Sequence, residues 1–148
     1  MSPPTQHFMI PGEPKGKMRP RASFHGGHGR VHDAPEQVSN ENWVKVCARD
    51  AGIGLMDSAV AATIVVTVVA PKSLTKAKRA AIDGDHVLPA KKPDLDNVAK
   101  LVLDALNGIA YKDDAQVVDL RVSRRYGPAA QVEVWLAERG PLLDQVTG

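Results

Sequence analysis

Six of the 17 acidic residues of this 148-residue chain lie between positions 94 and 119: Asp94, Asp96, Asp104, Asp113, Asp114 and Asp119. Only Lys100 and Lys112 oppose them there. Like charges held together cost free energy unless something positive stands between them. A divalent cation is the usual answer, and Mg²⁺ commonly takes one or two carboxylates while keeping waters or substrate phosphate. Asp94 and Asp96 stand two apart ahead of a helical pattern, so in extended backbone both side chains point the same way. Asp96 falls at the helix N-terminus, where the dipole favours negative charge. Lys100 follows four residues later on the same face. A lysine beside metal-binding carboxylates can contact a scissile phosphate or stabilise transition-state charge. Asp113-Asp114, beyond the helix, can return to this cluster.

Basic residues gather elsewhere. Residues 11–32 hold Lys15, Lys17, Arg19, Arg21 and Arg30 against Glu13 alone, a local charge of +4. Residues 72–79 add Lys76, Lys78 and Arg79, and Lys91 and Lys92 follow. The formal net charge of +2 is therefore a small sum of large opposed terms. A basic rim supplies phosphate contacts, and an acidic metal pocket inside it suits phosphodiester hydrolysis.

Taken singly, each residue has a plainer reading. Asp96 alone reads as an N-cap, Asp113-Asp114 as a turn, and Lys100 as a partner of Asp96 or Asp104. Asp104 and Asp119 read as solvated or structural. Asp94-Asp96-Asn97 is no EF-hand, because Val98 and Ala99 stand where an oxygen ligand and the turn glycine belong. His25, His28 and His32 sit in a Gly-rich loop without a carboxylate pattern and read as solvated or phosphate-adjacent. Trp43 and Trp135 read as core or interface residues, and Cys47 as a small buried hydrophobe. The joint arrangement carries the functional reading.

The elements that must position these residues are a mixed set. Residues 6–10 read as a strand stopped by Pro11-Gly12. Gly26, Gly27 and Gly29 mark a turn, the tip of a hairpin in the basic segment. Asp33-Ala-Pro-Glu36 reads as a helix start with Asp33 as N-cap, and Trp43, Val44, Cys47 and Ala51 follow helical spacing. Residues 61–69 are continuous and β-branched, a strand buried on both faces. Ser73–Ala81 reads as a short basic helix and 83–93 as a loop. Asp96–Asn107 is the clearest helix, with Val98, Leu101, Val102, Ala105 and Leu106 on one face and Gly108 as its C′ residue. Val117–Tyr126, with Val118, Leu120 and Val122 on one face, and Gln131–Leu136, with Val132, Val134 and Leu136 inward, form an expected antiparallel hairpin. The tail beyond Gly140 is expected to fray. The expected fold is one α/β (α+β) domain over residues 1–148, a mixed sheet packed by helices.

The stretch from Lys92 to Asp119, with Asp94-x-Asp-Asn-x-x-Lys100, the helix, and Asp113-Asp-x-Gln-Val117 in order, resembles the signature of RusA-type Holliday junction resolvases. Lys17-Met-Arg-Pro-Arg21 is similar to the basic segment near the N-terminus of phage-type members. The resemblance implies a homodimeric, Mg²⁺-dependent endonuclease (Mn²⁺ can substitute) that nicks four-way DNA junctions and leaves a 5′-phosphate. It implies catalytic and metal-holding roles for Asp94, Asp96 and Asp114, with Asp113 as an assistant, and makes Lys100 the essential lysine. Such enzymes are encoded by bacteria, often by phages or prophages. Lys15, Lys17, Arg19, Arg21, Lys76, Lys78, Arg79, Lys91 and Lys92 are the expected DNA contacts.

Other classes are constrained. One cysteine cannot form an intrachain disulfide or a multi-cysteine zinc site. No secretory leader pattern opens the sequence, and the apolar run 59–70 is too short to span a bilayer, so the expectation is a cytoplasmic protein without membrane partners. The competing reading is a non-catalytic branched-DNA-binding protein, for which the acidic cluster is an obstacle. An Asp-x-Asp phosphatase would want an apolar strand before Asp94, where Leu88-Pro-Ala-Lys-Lys-Pro93 stands instead.

Overall fold

A computed structural model describes residues 5–17, 21–25, 28–32, 35–84 and 87–147, with backbone alone between 21 and 37. The strands are β1 (Gln6–Pro11), β2 (Arg21–His25), β3 (His28–His32), β4 (Ala59–Val68), β5 (Val117–Tyr126) and β6 (Gln131–Gly140). The helices are α1 (Pro35–Asp50), α2 (Lys76–Asp83) and α3 (Leu95–Ala105). The class is α+β, as expected, with a four-stranded mixed sheet in the order β1-β6-β4-β5. β2 and β3 form the expected hairpin, with His25 opposite His28. Among the described residues no helix is long and apolar enough to cross a membrane.

The expected hairpin of the last two strands is not formed. β4 lies between them, parallel to β5 and antiparallel to β6. β4 is the most continuously β-branched segment, so a central place lets it bury the most apolar surface. The turn after β5 crosses the end of β4: the Gly127 amide donates to Val68 O at 3.0 Å. A Cβ at Gly127 would overlap Thr67 Cγ2, which explains glycine there. A parallel neighbour needs a long crossover, and the chain through α2 and α3 supplies it.

β5 lies at the sheet edge, and its Val118 and Leu120 are 61% and 44% exposed, whereas Val132, Val134 and Leu136 of β6 are buried as expected. β4 departs from burial on both faces. Val60, Ala62, Ile64, Val66 and Val68 are buried, while Ala61, Thr63 and Val65 are half-buried. One core cluster joins that buried row to Phe8 and Ile10 of β1, to Val132, Val134 and Leu136 of β6, and to helices α1 and α3. The helices therefore cover one face of the sheet.

α1 buries Val44 and Ala48, half-buries Cys47 and leaves Trp43 exposed, and Ala51 lies exposed just beyond its end. Asp33, its expected cap, lies outside the described residues. α2 starts at Lys76, capped by the Thr75 side chain, which accepts from the Lys78 amide at 3.2 Å. α3 buries Val98, Ala99, Leu101, Val102 and Ala105. It ends at Ala105, and Gly108 takes φ +83° in the turn that follows. The tail is tied down further than expected: the Gln145 side chain donates to Asp57 O at 2.8 Å.

Candidate active site

α3 is the platform of the site. Its buried stripe fixes the helix against the core, which aims Asp96, Lys100, Leu103 and Asp104 outward. These residues line a cleft of about 490 Å³ together with Ala99, Asp114, Leu120 and Val122. Asp114 arrives from the single 3₁₀ turn Asp114–Gln116 that opens β5. The structure thus brings together Asp96, Lys100 and Asp114, three of the four residues marked as catalytic by resemblance.

Asp94 lies on the other side of the helix start. It is the N-cap, in extended backbone, whereas Asp96 is already in the first helical turn. The two-residue spacing puts side chains on one face only when both residues are extended, so the expected common direction is not found. Asp94 lines a neighbouring cleft of about 610 Å³ with Lys15, Lys17, Asn40, Lys92 and Asn97. Its side chain makes no capping hydrogen bond and pairs with Lys92 at 2.9 Å instead. That pair is exposed and contributes little to stability.

The acidic side of the cleft is electrostatically crowded. The Asp113 carboxylate accepts from the Ala115 amide at 3.1 Å, and this bond with a second from Asp114 holds its pKa below the usual value. Asp114 is pushed the other way, first by the hydrogen bond it shares with Asp113, then by partial burial and by neighbouring Asp104. Tyr111 lies buried below and donates to Leu103 O at 2.6 Å. Burial, then the charges of Asp114, Asp104 and Asp113, keep its phenol protonated.

Positive charge is apportioned unequally. Lys100 is exposed and makes no ion pair among the described residues. Lys17 is half-buried between Glu41 of α1 at 2.7 Å and Asp104 of α3 at 3.1 Å. Burial works against its charge, but the bonds to Glu41 and Asp104 prevail and raise its pKa. Lys15, Lys76, Lys78, Arg79, Lys91 and Lys92 are exposed. Arg19 lies outside the described residues, as does the side chain of Arg21.

Hard oxygen donors are what a Mg²⁺ site requires, and two carboxylates suffice when water and phosphate complete the shell. Asp96 and Asp114, which line one cleft, offer donors of that chemistry. Among the described residues no three His, Cys, Asp or Glu side chains converge on one metal-sized point.

Residues 11–137 match the family described as Endodeoxyribonuclease RusA. The chain belongs to the RusA endodeoxyribonuclease family. An uncharacterized Bacillus subtilis (strain 168) protein, YqaN, is 35% identical over 134 residues, covering 88% of this chain and 94% of that protein.

Three residues given no catalytic or binding role from the sequence support the site of this RusA-family chain. Asp104 enters the cleft because it stands eight residues after Asp96 and four after Lys100, a spacing that already put them on one helical face. Gln116 is buried and anchors the Asp113-Asp114 turn. Its amide donates to Met56 O at 2.9 Å and Ser58 O at 3.0 Å. Its carbonyl accepts from Lys112 N at 2.9 Å and Asp113 N at 3.3 Å. The Asp113-x-x-Gln116 capping box was a readable sign of that turn. Arg124 had no local sign. Its guanidinium donates to the carbonyls of Lys91 and Pro93, holding the segment that delivers Asp94.

Arg124→Ala is expected to release both carbonyls and loosen residues 91–94. The expected stability loss is about 2 kcal/mol, since hydrogen bonds from a charged donor exceed neutral ones. Hydrogen exchange should rise at the amides of this segment while α1 stays protected. Unchanged exchange there would show that the clamp is dispensable.

Proposed function

We propose that this chain is a divalent-metal-dependent, structure-specific endodeoxyribonuclease that resolves four-way DNA junctions by paired nicks. The observation that carries the reading is the convergence of Asp96, Lys100 and Asp114 on one cleft in a RusA-family chain. Asp96 and Asp114 would hold Mg²⁺, or Mn²⁺ in its place, with Asp94 and Asp113 adjoining. When bound, the cation supplies Lewis-acid charge beside the scissile phosphate.

The chain's own residues do the rest. Lys100, which makes no ion pair among the described residues, would place its ammonium where negative charge develops on the phosphoryl oxygens. Lys15 and Lys92, lining the neighbouring cleft, and Lys91 beside them draw the DNA backbone across the start of α3. Lys76, Lys78 and Arg79 on α2 would supply further phosphate contacts. The expected product carries a 5′-phosphate. A four-way junction is nearly two-fold symmetric, so paired cuts fit a two-fold homodimer with one site per subunit.

The test sets a labelled four-way junction, a fork and a linear duplex side by side, with and without Mg²⁺, and maps the nicks. Symmetric nicks in opposed junction strands, dependent on Mg²⁺, are expected. Tight junction binding without nicks would replace this reading with a non-catalytic branched-DNA-binding protein.

A further inference from the structure

The cleft holds three carboxylates, and one of them has its own cation. Asp104 lines the cleft with Asp96 and Asp114, yet its Oδ2 lies 3.1 Å from Lys17 Nζ. That ammonium is itself gripped by Glu41 at 2.7 Å. The lysine and both acids are each only about one-fifth to one-quarter exposed, so solvent screens the triad weakly.

Lys17 is also fixed by its backbone. Its amide donates to Asn97 O on α3 at 2.9 Å. The preceding residue, Gly16, runs so close to the helix that a Cβ there would lie 3.0 Å from Asn97 Cβ and Pro93 Cβ. The backbone of residues 16–17 is thus held against the start of α3, and the side chain reaches from there to Asp104.

We propose that Lys17 is a positioning residue, the resident counter-ion that occupies Asp104 and so leaves Asp96 and Asp114 as the carboxylates available to a divalent cation. This inference rests on the nuclease reading above. In this role the Lys17 ammonium is taken up by Glu41 and Asp104 rather than by DNA phosphate. A carboxylate committed to an internal ammonium competes poorly for a second cation. Without Lys17, Asp104 loses its ammonium and stands beside Asp114 in the cleft with no lysine partner. The cation is then held more tightly but drawn along α3 toward Asp104, away from Asp96.

The experiment measures Mn²⁺ binding by titration calorimetry without DNA, alongside junction nicking. Lys17→Met is expected to bind Mn²⁺ about three- to tenfold more tightly, the sign expected when a nearby positive charge is removed, and to nick more slowly. The double variant Lys17→Met/Asp104→Asn should return Mn²⁺ affinity to within about twofold of wild type and recover nicking, because the net charge of the Lys17, Glu41 and Asp104 group returns to its wild-type value. Lys17→Arg should retain both properties.

Unchanged or weaker Mn²⁺ binding by folded Lys17→Met would overturn the proposal, as would a double variant no better than the single one. If Lys17→Met does not fold, Asp104→Asn alone decides. Mn²⁺ affinity within about threefold of wild type supports the assignment, and a larger loss makes Asp104 a ligand and overturns it. A wild-type protein that binds no Mn²⁺ defeats the metal-dependent nuclease reading itself, and this inference with it.

Discussion

Asp96→Asn is expected to leave fold and junction binding intact while lowering Mg²⁺-dependent nicking by about 10²–10³-fold. The change swaps one carboxylate oxygen for an amide of equal size. Asp96 is exposed in the first turn of α3, and its recorded hydrogen bond is from the adjacent Asn97 amide at 3.0 Å. An amide oxygen can still accept that bond, so helix stability should move by a few tenths of a kcal/mol through the lost dipole interaction. Metal charge at a phosphoryl group contributes several kcal/mol to the transition state, and each 1.36 kcal/mol is tenfold in rate, which sets the expected loss. Gel-shift affinity for the junction in Ca²⁺ or EDTA separates binding from chemistry. Wild-type nicking by a pure preparation of Asp96→Asn would remove Asp96 from the mechanism.

Gln116→Ala should be the most damaging substitution outside the charged residues, because one side chain closes four backbone hydrogen bonds. Two carbonyls, of Met56 and Ser58, lose their donor, and the amides of Lys112 and Asp113 lose their acceptor. Gln116 is 8% exposed, so water reaches the vacated groups poorly. An unsatisfied buried polar group costs about 1–3 kcal/mol, and partial relaxation should bring the total to about 3 kcal/mol. For a domain of this size the melting temperature should then fall by about 10 °C. The Asp113-Asp114 turn is tied to the 56–58 segment through this side chain, so Asp114 should lose its fixed place. Nicking should therefore fall even at temperatures where the variant is folded. Gln116→Glu keeps the shape and the acceptor but loses the amide donor, and should lie between. A melting point within about 2 °C of wild type for Gln116→Ala would refute the anchoring role.

Much of the platform was readable from local pattern. The α3 stripe of Val98, Leu101, Val102 and Ala105 follows helical spacing, and the structure buries all four. The same periodicity put Asp96, Lys100 and Asp104 on the opposite side, although Asp104 was read as solvated or structural. Its place in the cleft depends on Asp114, which arrives from another element. Strand positions were also legible from β-branched runs and turn residues. Their partners were not. Val117–Tyr126 and Gln131–Gly140 are joined by a short turn and look like a hairpin in sequence. The greater burial available to β4 separates them, and that is a comparison between distant segments.

The sequence by itself determined the elements, the acidic concentration at 94–119 and the residues of α3 that share a face, since these follow from backbone periodicity within a few residues. Tertiary structure alone decided which cleft each carboxylate enters. The start of α3 turns Asp94 away from Asp96, the sheet order delivers Asp114 beside Asp104, and the packing of residues 16–17 on α3 brings Lys17 to Asp104. These contacts join groups far apart in the chain. Their free energy depends on how the whole core closes, and no local spacing encodes it.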